Sequence, residues 1–175
     1  MTLESIALET FIAKPIHLWD IQWLLLTSGD FTRNQFNAMT VGWGSIGYIW
    51  RRPFVQVVVR PVRHTFGFME KFDTFTLCAF PNQYHAALQM LGTKSGRDGD
   101  KIAEANLTPV ASTKVAAPSY TEANLVIECQ KIYWDDIHPQ NFLTPELDLN
   151  YPRKDYHRIY FGEILALFGE HSNQT

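Results

Sequence analysis

The sequence predicts a mainly β chain with a few short helices, folded as a closed or nearly closed antiparallel barrel. Three observations predict it: six apolar runs rich in Val, Ile, Leu, Phe, Tyr or Thr and bounded by turn formers, few stretches of helical period, and no regular strand-helix alternation. With 175 residues, 46% of them hydrophobic and only 19% charged, the chain has enough apolar surface for a buried core. Residues 1–175 are read as a single domain.

In chain order, strands are predicted over residues 21–26 and 38–43. The next, over residues 54–60, is the best bounded: Pro53 and Pro61 flank Phe54-Val55-Gln56-Val57-Val58-Val59-Arg60, and proline cannot donate to a ladder. It is expected to lie inside the sheet. A helix over residues 65–71 would start with Thr65 as N-cap, and a strand over residues 74–80 follows. Residues 82–91 place Tyr84, Leu88 and Leu91 on one helical face, and a short helix is predicted over residues 100–105. Residues 107–121 and 139–152 read as long loops around the late strands at residues 123–133 and 158–168.

Several function classes are excluded. A net charge of −3 gives no electrostatic footprint for nucleic acid, although two or three cations suffice for one small phosphate. There is no Gly-x-Gly-x-x-Gly after a strand, no Gly-x-x-x-x-Gly-Lys-Ser/Thr loop, no Gly-x-Ser-x-Gly elbow and no His-Glu-x-x-His, so Rossmann, P-loop and common hydrolase sites have no support. The six histidines are scattered, and no metal is expected. Cys78 and Cys129 lie in apolar runs and read as buried free thiols. No stretch nears the roughly 20 apolar residues of a membrane span, so a soluble, cytoplasmic protein is expected.

Three polar segments interrupt the apolar pattern. In Asn37-Ala38-Met39-Thr40-Val41-Gly42-Trp43-Gly44, the glycines would let a backbone or a flat ligand come close, or would simply weaken an edge strand. Arg60-Pro61-Val62-Arg63-His64-Thr65 ends a strand and opens a helix, and its two guanidinium groups, hydroxyl and free N–H groups suit an anion as well as a solvated basic turn. Gly92-Thr93-Lys94-Ser95-Gly96-Arg97-Asp98-Gly99-Asp100-Lys101 is either a flexible linker or a loop that wraps a phosphate or a ribityl chain with backbone N–H groups, Ser95, Arg97 and Lys101.

Taken in order, these segments resemble the flavin reductase-like proteins, flavoredoxin in particular. The resemblance continues through residues 123–129 and through Asp155-Tyr156-His157-Arg158-Ile159-Tyr160-Phe161-Gly162-Glu163-Ile164, covering about residues 15–168. It implies an antiparallel Greek-key split β-barrel that dimerises and binds FMN near the subunit interface. By that resemblance Asn37, Met39, Thr40 and Trp43 would line the isoalloxazine and ribityl portion, and Arg60, Arg63 and Thr65 would lie by the ribityl phosphate. Ser95, Gly96, Arg97 and Lys101 would complete the phosphate side, and His157 would stand at the mouth to orient a nicotinamide or substrate. The cofactor would supply the redox chemistry while the protein positions and tunes it, with N–H groups of residues 39–43 stabilising negative charge on the reduced ring. The implied activity is oxidation of NAD(P)H with transfer of electrons to free flavin or another acceptor. The alternatives are a flavoredoxin-type electron-transfer protein reduced by a protein partner, and a non-catalytic flavin-binding module.

Overall fold

Strands form where β-branched and aromatic residues cluster. A computed structural model describes residues 3–170, and these contain strands β1 (Glu4–Ser5), β2 (Leu24–Asp30), β3 (Gln35–Val41), β4 (Gly44–Ile49), β5 (Arg52–Val59), β6 (Thr74–Ala79), β7 (Pro109–Val110), β8 (Ser119–Tyr120), β9 (Leu125–Asp136) and β10 (Arg158–Gly169). Helices α1 (His64–Lys71), α2 (His85–Thr93) and α3 (Lys101–Glu104) accompany them. The main sheet runs β3-β2-β6-β9-β10-β5-β4 with every pairing antiparallel, β1 adds to the end of β10, and β7 pairs with β8.

That order forces closure. The two ends of the sheet, β3 and β4, are consecutive in sequence and joined only by Gly42 and Trp43, a link that reaches about 10 Å at most. The sheet must therefore curl until its edges meet. Since β3 and β4 do not pair with each other, the barrel is split along that seam. After the β4–β5 hairpin the chain returns as β6 beside β2, and β9 and β10 fill the space between β6 and β5, which makes the Greek key.

The interior is filled by alternate residues, among them Leu24, Leu26, Val41, Val57, Phe75, Leu77, Ile127 and Tyr160. The intervening Leu25, Ala38, Cys78 and Val126 face outward under Leu88 and Leu91 of α2, Ile102 of α3 and Tyr120. Strands β2, β6 and β9 are thus covered on both faces, which explains why they read as continuous apolar runs.

Several expectations shift. Strand β4 lies in Gly44-Ser45-Ile46-Gly47-Tyr48-Ile49, where two glycines dilute the β signal that was read as ending at Trp43. The strand expected over residues 21–26 starts at Leu24, because residues 17–22 coil into a π-helical turn. Helix α1 begins one residue earlier than expected, with Arg63 at its N-cap and no side-chain cap, while the Thr65 hydroxyl accepts a hydrogen bond from Asn37. Asp100 does cap α3, its carboxylate accepting from the Ala103 N–H at 3.1 Å. Both cysteines are free and buried. Among the described residues no helix is long and apolar enough to cross a membrane, and no group of three or more His, Cys, Asp or Glu gathers at metal-binding spacing.

Candidate functional site

β3, the turn before α1 and the start of α1 form one wall of a cavity of about 120 Å³, and the loop after α2 forms the other. Asn37, Met39, Arg63, Thr65, Ser95, Gly96, Arg97 and Lys101 all line it, together with Val62, His64, Thr93 and Lys94. Sequence segments some 25 to 60 residues apart thus converge because α1 and α2 both pack on β3, while Lys101 ties the loop to α2.

The cavity is cationic and no carboxylate lines it. Lys101 is almost wholly buried, and its ammonium donates to the carbonyls of Leu91 at 2.8 Å and Lys94 at 2.9 Å, at the C-terminal end of α2 where the helix dipole favours a cation. Burial, reinforced by the nearby Arg63 charge, lowers its pKa to about 8. Arg63 donates to the Gly92 carbonyl, and burial followed by repulsion from Arg60 depresses its pKa too. Arg97 donates to the Val62 carbonyl at 3.4 Å. His64 is held below its ordinary pKa by desolvation and by the charges of Arg97 and Lys101. None of Arg63, Arg97 and Lys101 takes part in an ion pair among the described residues, whereas Lys94 is paired with Glu104. Three crowded cations balanced only by carbonyl dipoles create an electrostatic demand for an anion, and α1 adds an N-terminus with no side-chain cap.

Gly96 is held to its identity by contact. A Cβ there would stand 2.1 Å from Asn37 Oδ1 and 3.1 Å from His64 Cδ2, so the loop backbone packs directly on the Asn37 amide, whose nitrogen donates to the Thr65 hydroxyl at 2.7 Å. The Ser95 hydroxyl accepts from the Arg97 N–H at 3.2 Å and shapes the turn.

Four residues expected at the site lie outside this cavity. The Thr40 hydroxyl donates to the Leu88 carbonyl at 2.5 Å and fastens α2 to β3. Arg60 donates to the Asn150 carbonyl at 2.8 Å and pairs with Asp155 at 3.3 Å. Trp43, half exposed on the β3–β4 link, packs against His157 with ring centroids 5.3 Å apart. His157 is buried, its Nδ1 2.9 Å from the Tyr151 hydroxyl, and desolvation plus the Arg60 cation, opposed by Asp155, lowers its pKa to about 4. A neutral imidazole at ordinary pH results. Arg60, Trp43 and His157 thus form a second group, joined through Tyr151.

The close approach expected at Gly42 and Gly44 is met by the chain itself. A Cβ on Gly44 would come within 2.5 Å of the Trp19 ring, and one on Gly42 within 3.3 Å of the Trp19 carbonyl. Trp19 is buried with its indole N–H lacking an acceptor. The sequence reading passed over Trp19, Tyr151 and His64; of these, His64 alone carried a visible signal, standing between Arg63 and Thr65 at the helix start.

Comparison with known proteins places this geometry. The sequence model of the flavin reductase like domain matches residues 22–174. An uncharacterized protein of Pyrococcus abyssi (strain GE5 / Orsay) is 27% identical over 152 residues, covering 85% of this chain and 74% of the relative. Among solved structures, the flavoredoxin of Desulfovibrio vulgaris (Miyazaki F) superposes with a TM-score of 0.66 at 23% identity, over 86% of this chain and 70% of its own. An FMN-binding domain of a flavin reductases-like enzyme from Shewanella baltica OS155 gives 0.68 at 15% identity, over 96% and 77%. The Streptomyces globisporus C-1027 NADH:FAD oxidoreductase gives 0.64 at 15%, over 86% and 76%. The chain belongs to the flavin reductase-like domain family and has its split-barrel fold.

Proposed function

We propose that this chain binds FMN and works as an oxidoreductase, taking electrons from NAD(P)H and passing them to free flavin or another acceptor. The observation that carries the reading is the cavity lined by Arg63, Arg97 and Lys101 with no carboxylate beside it. It fits a phosphate: three cations, the N-terminus of α1 and the hydroxyls of Thr65 and Ser95 face one small space, and Gly96 leaves the loop backbone open to it. FMN-binding and NADH-oxidising relatives of the same fold support the choice of ligand and donor.

In this reading Arg63, Arg97 and Lys101 bind the phosphate, Asn37, Thr65 and Ser95 donate to the phosphate and ribityl oxygens, and Met39 gives apolar contact. A bound flavin supplies hydride acceptance and two-electron storage. Strand β3 ends the sheet, so ladder groups on its outer edge have no strand partner and are free to donate to the polar side of the ring. Trp43 and His157 flank the mouth, where a neutral His157 orients a flat donor without repelling a cationic nicotinamide product. Thr40 acts through α2, holding the phosphate loop against β3. The resemblance to flavoredoxins favours a second reading, an electron carrier reduced by a protein partner.

We also propose a homodimer, supported by Tyr48, Trp50 and Trp134, large aromatic side chains left more than half exposed.

Flavin fluorescence titration tests the site. Arg63→Ala is expected to weaken FMN binding by about 1.5 to 3 kcal/mol through loss of a charge-assisted contact; unchanged affinity would remove Arg63 from it. Anaerobic addition of NADH or NADPH to the FMN-loaded protein separates the readings, since rapid bleaching is the reductase outcome and none points to a protein-fed carrier.

A further inference from the structure

Residues 137–157, which join β9 to β10, form a strap with packing of its own. Phe142 and Tyr151 stack at 6.2 Å with 17° between their planes, Tyr151 meets Tyr156 at 4.8 Å, and Tyr156 donates to Asp148 at 2.7 Å. Lys154 pairs with the same carboxylate. The base of the strap is closed by the Ile137 N–H, which donates to the His157 carbonyl at 3.0 Å.

Between those ends, the hydrogen bonds described from residues 139–156 to the barrel all come from one side chain. Arg60 donates to the Asn150 carbonyl at 2.8 Å and to both Asp155 oxygens at 3.3 and 3.4 Å. Its guanidinium also lies 5.2 Å from the centre of the Tyr151 ring. Arg60 directly follows β5 and precedes Pro61, so the planar fork is carried on a stiff support. Through Tyr151 the contact reaches His157. Burial raises the Tyr151 pKa, which keeps its hydroxyl protonated; when it donates to Nδ1, the neutral ring carries its proton on Nε2.

We propose that Arg60 is a positioning residue. It latches the strap to the end of β5 and, through Tyr151, fixes the tautomer and orientation of His157 beside Trp43, thereby setting how the mouth receives a second, flat-ringed substrate. The proposal rests on the oxidoreductase reading for the substrate and on the strap geometry for the latch. Neither Arg60 nor its strap partners Asn150, Tyr151 and Asp155 line the cavity that Arg63, Arg97 and Lys101 line.

The test is hydrogen exchange of the full-length protein, wild type against Arg60→Gln, together with FMN titration and steady-state kinetics with NADH. In Arg60→Gln the amides of residues 139–156 should exchange about tenfold faster while those of β9 and β10 keep their protection. FMN affinity should stay within about twofold, and KM for NADH should rise about fivefold with a smaller change in kcat. Tyr151→Phe keeps the ring over Arg60 and should raise KM in the same way without accelerating exchange. Should Arg60→Gln fail to fold, Asp155→Asn loosens the strap from the other side and carries the same expectations. Unchanged strap exchange overturns the latch. A tenfold loss of FMN affinity with unchanged KM overturns it as well, since Arg60 would then be a phosphate ligand. If the wild type takes up no FMN or is reduced by neither NADH nor NADPH, the oxidoreductase reading fails, and the exchange pattern alone decides the latch.

Discussion

At the scale of single residues, the most informative group is Lys101, a nearly buried ammonium held by two carbonyls beside a second cation. Its pKa is about 8 in the folded chain against 10.5 for an ordinary lysine. Between those two values the unfolded chain holds more protons, so this group makes stability rise with pH from about 8 to 10.5, and below pH 8 its burial is a constant cost. Phosphate binding has the opposite sign, because it needs the cation. FMN affinity should be flat around neutrality and fall about fivefold between pH 8 and 9, a dependence that Lys101→Met flattens at a lower affinity. Fluorescence titration over that range checks it, and a wild-type affinity that does not move removes Lys101 from the site. Lys101 was legible in the sequence as a cation near a glycine-bearing loop. Its burial was not, because the carbonyls that hold it belong to the end of a helix whose position depends on the barrel beneath.

At the scale of elements, the seam between β3 and β4 is shaped by a residue far from it in sequence. The turn of residues 17–22 lays Trp19 across Gly44, so that a Cβ at Gly44 would meet the Gln56 carbonyl at 2.4 Å and the Trp19 ring at 2.5 Å. Gly44→Ala should therefore destabilise the protein by about 1 to 3 kcal/mol, since backbone or ring must move. Gly67→Ala is the contrasting substitution. Its Cβ would meet nothing, it lies inside α1, and it should stabilise by up to about 1 kcal/mol. Urea unfolding of the two variants measures both signs, and a Gly44→Ala protein as stable as wild type would show that Trp19 does not hold the seam. The glycines at 42 and 44 were visible as points of close approach. What approaches was not visible, since no local rule connects a tryptophan near residue 19 to a strand near residue 44.

At the scale of the whole molecule, an aromatic cluster stands at the β4–β5 hairpin. Trp50 and Arg51 turn the β4–β5 hairpin with φ of 51° and 60°, a conformation that glycine adopts more easily, and Trp50 packs on Tyr133 and Phe161 with ring centroids 5.7 and 6.2 Å apart. A buried interface would stabilise such a turn. Light scattering is expected to give twice the 20.1 kDa chain mass for the wild type and a single chain mass for the Tyr48→Ser, Trp50→Ser double variant; a wild-type monomer would overturn the dimer. The sequence by itself determined the β character and the three polar segments, because alternation, β-branching and helix-start chemistry act over a few residues. Only the tertiary structure decided which of those polar residues meet. Two cations of one motif, Arg60 and Arg63, part company, one turning to the strap and the other to the cavity. Their partners, Asp155 and Asn150 in one case and Gly92 in the other, reach them only when the curl of the sheet brings these distant segments around β5.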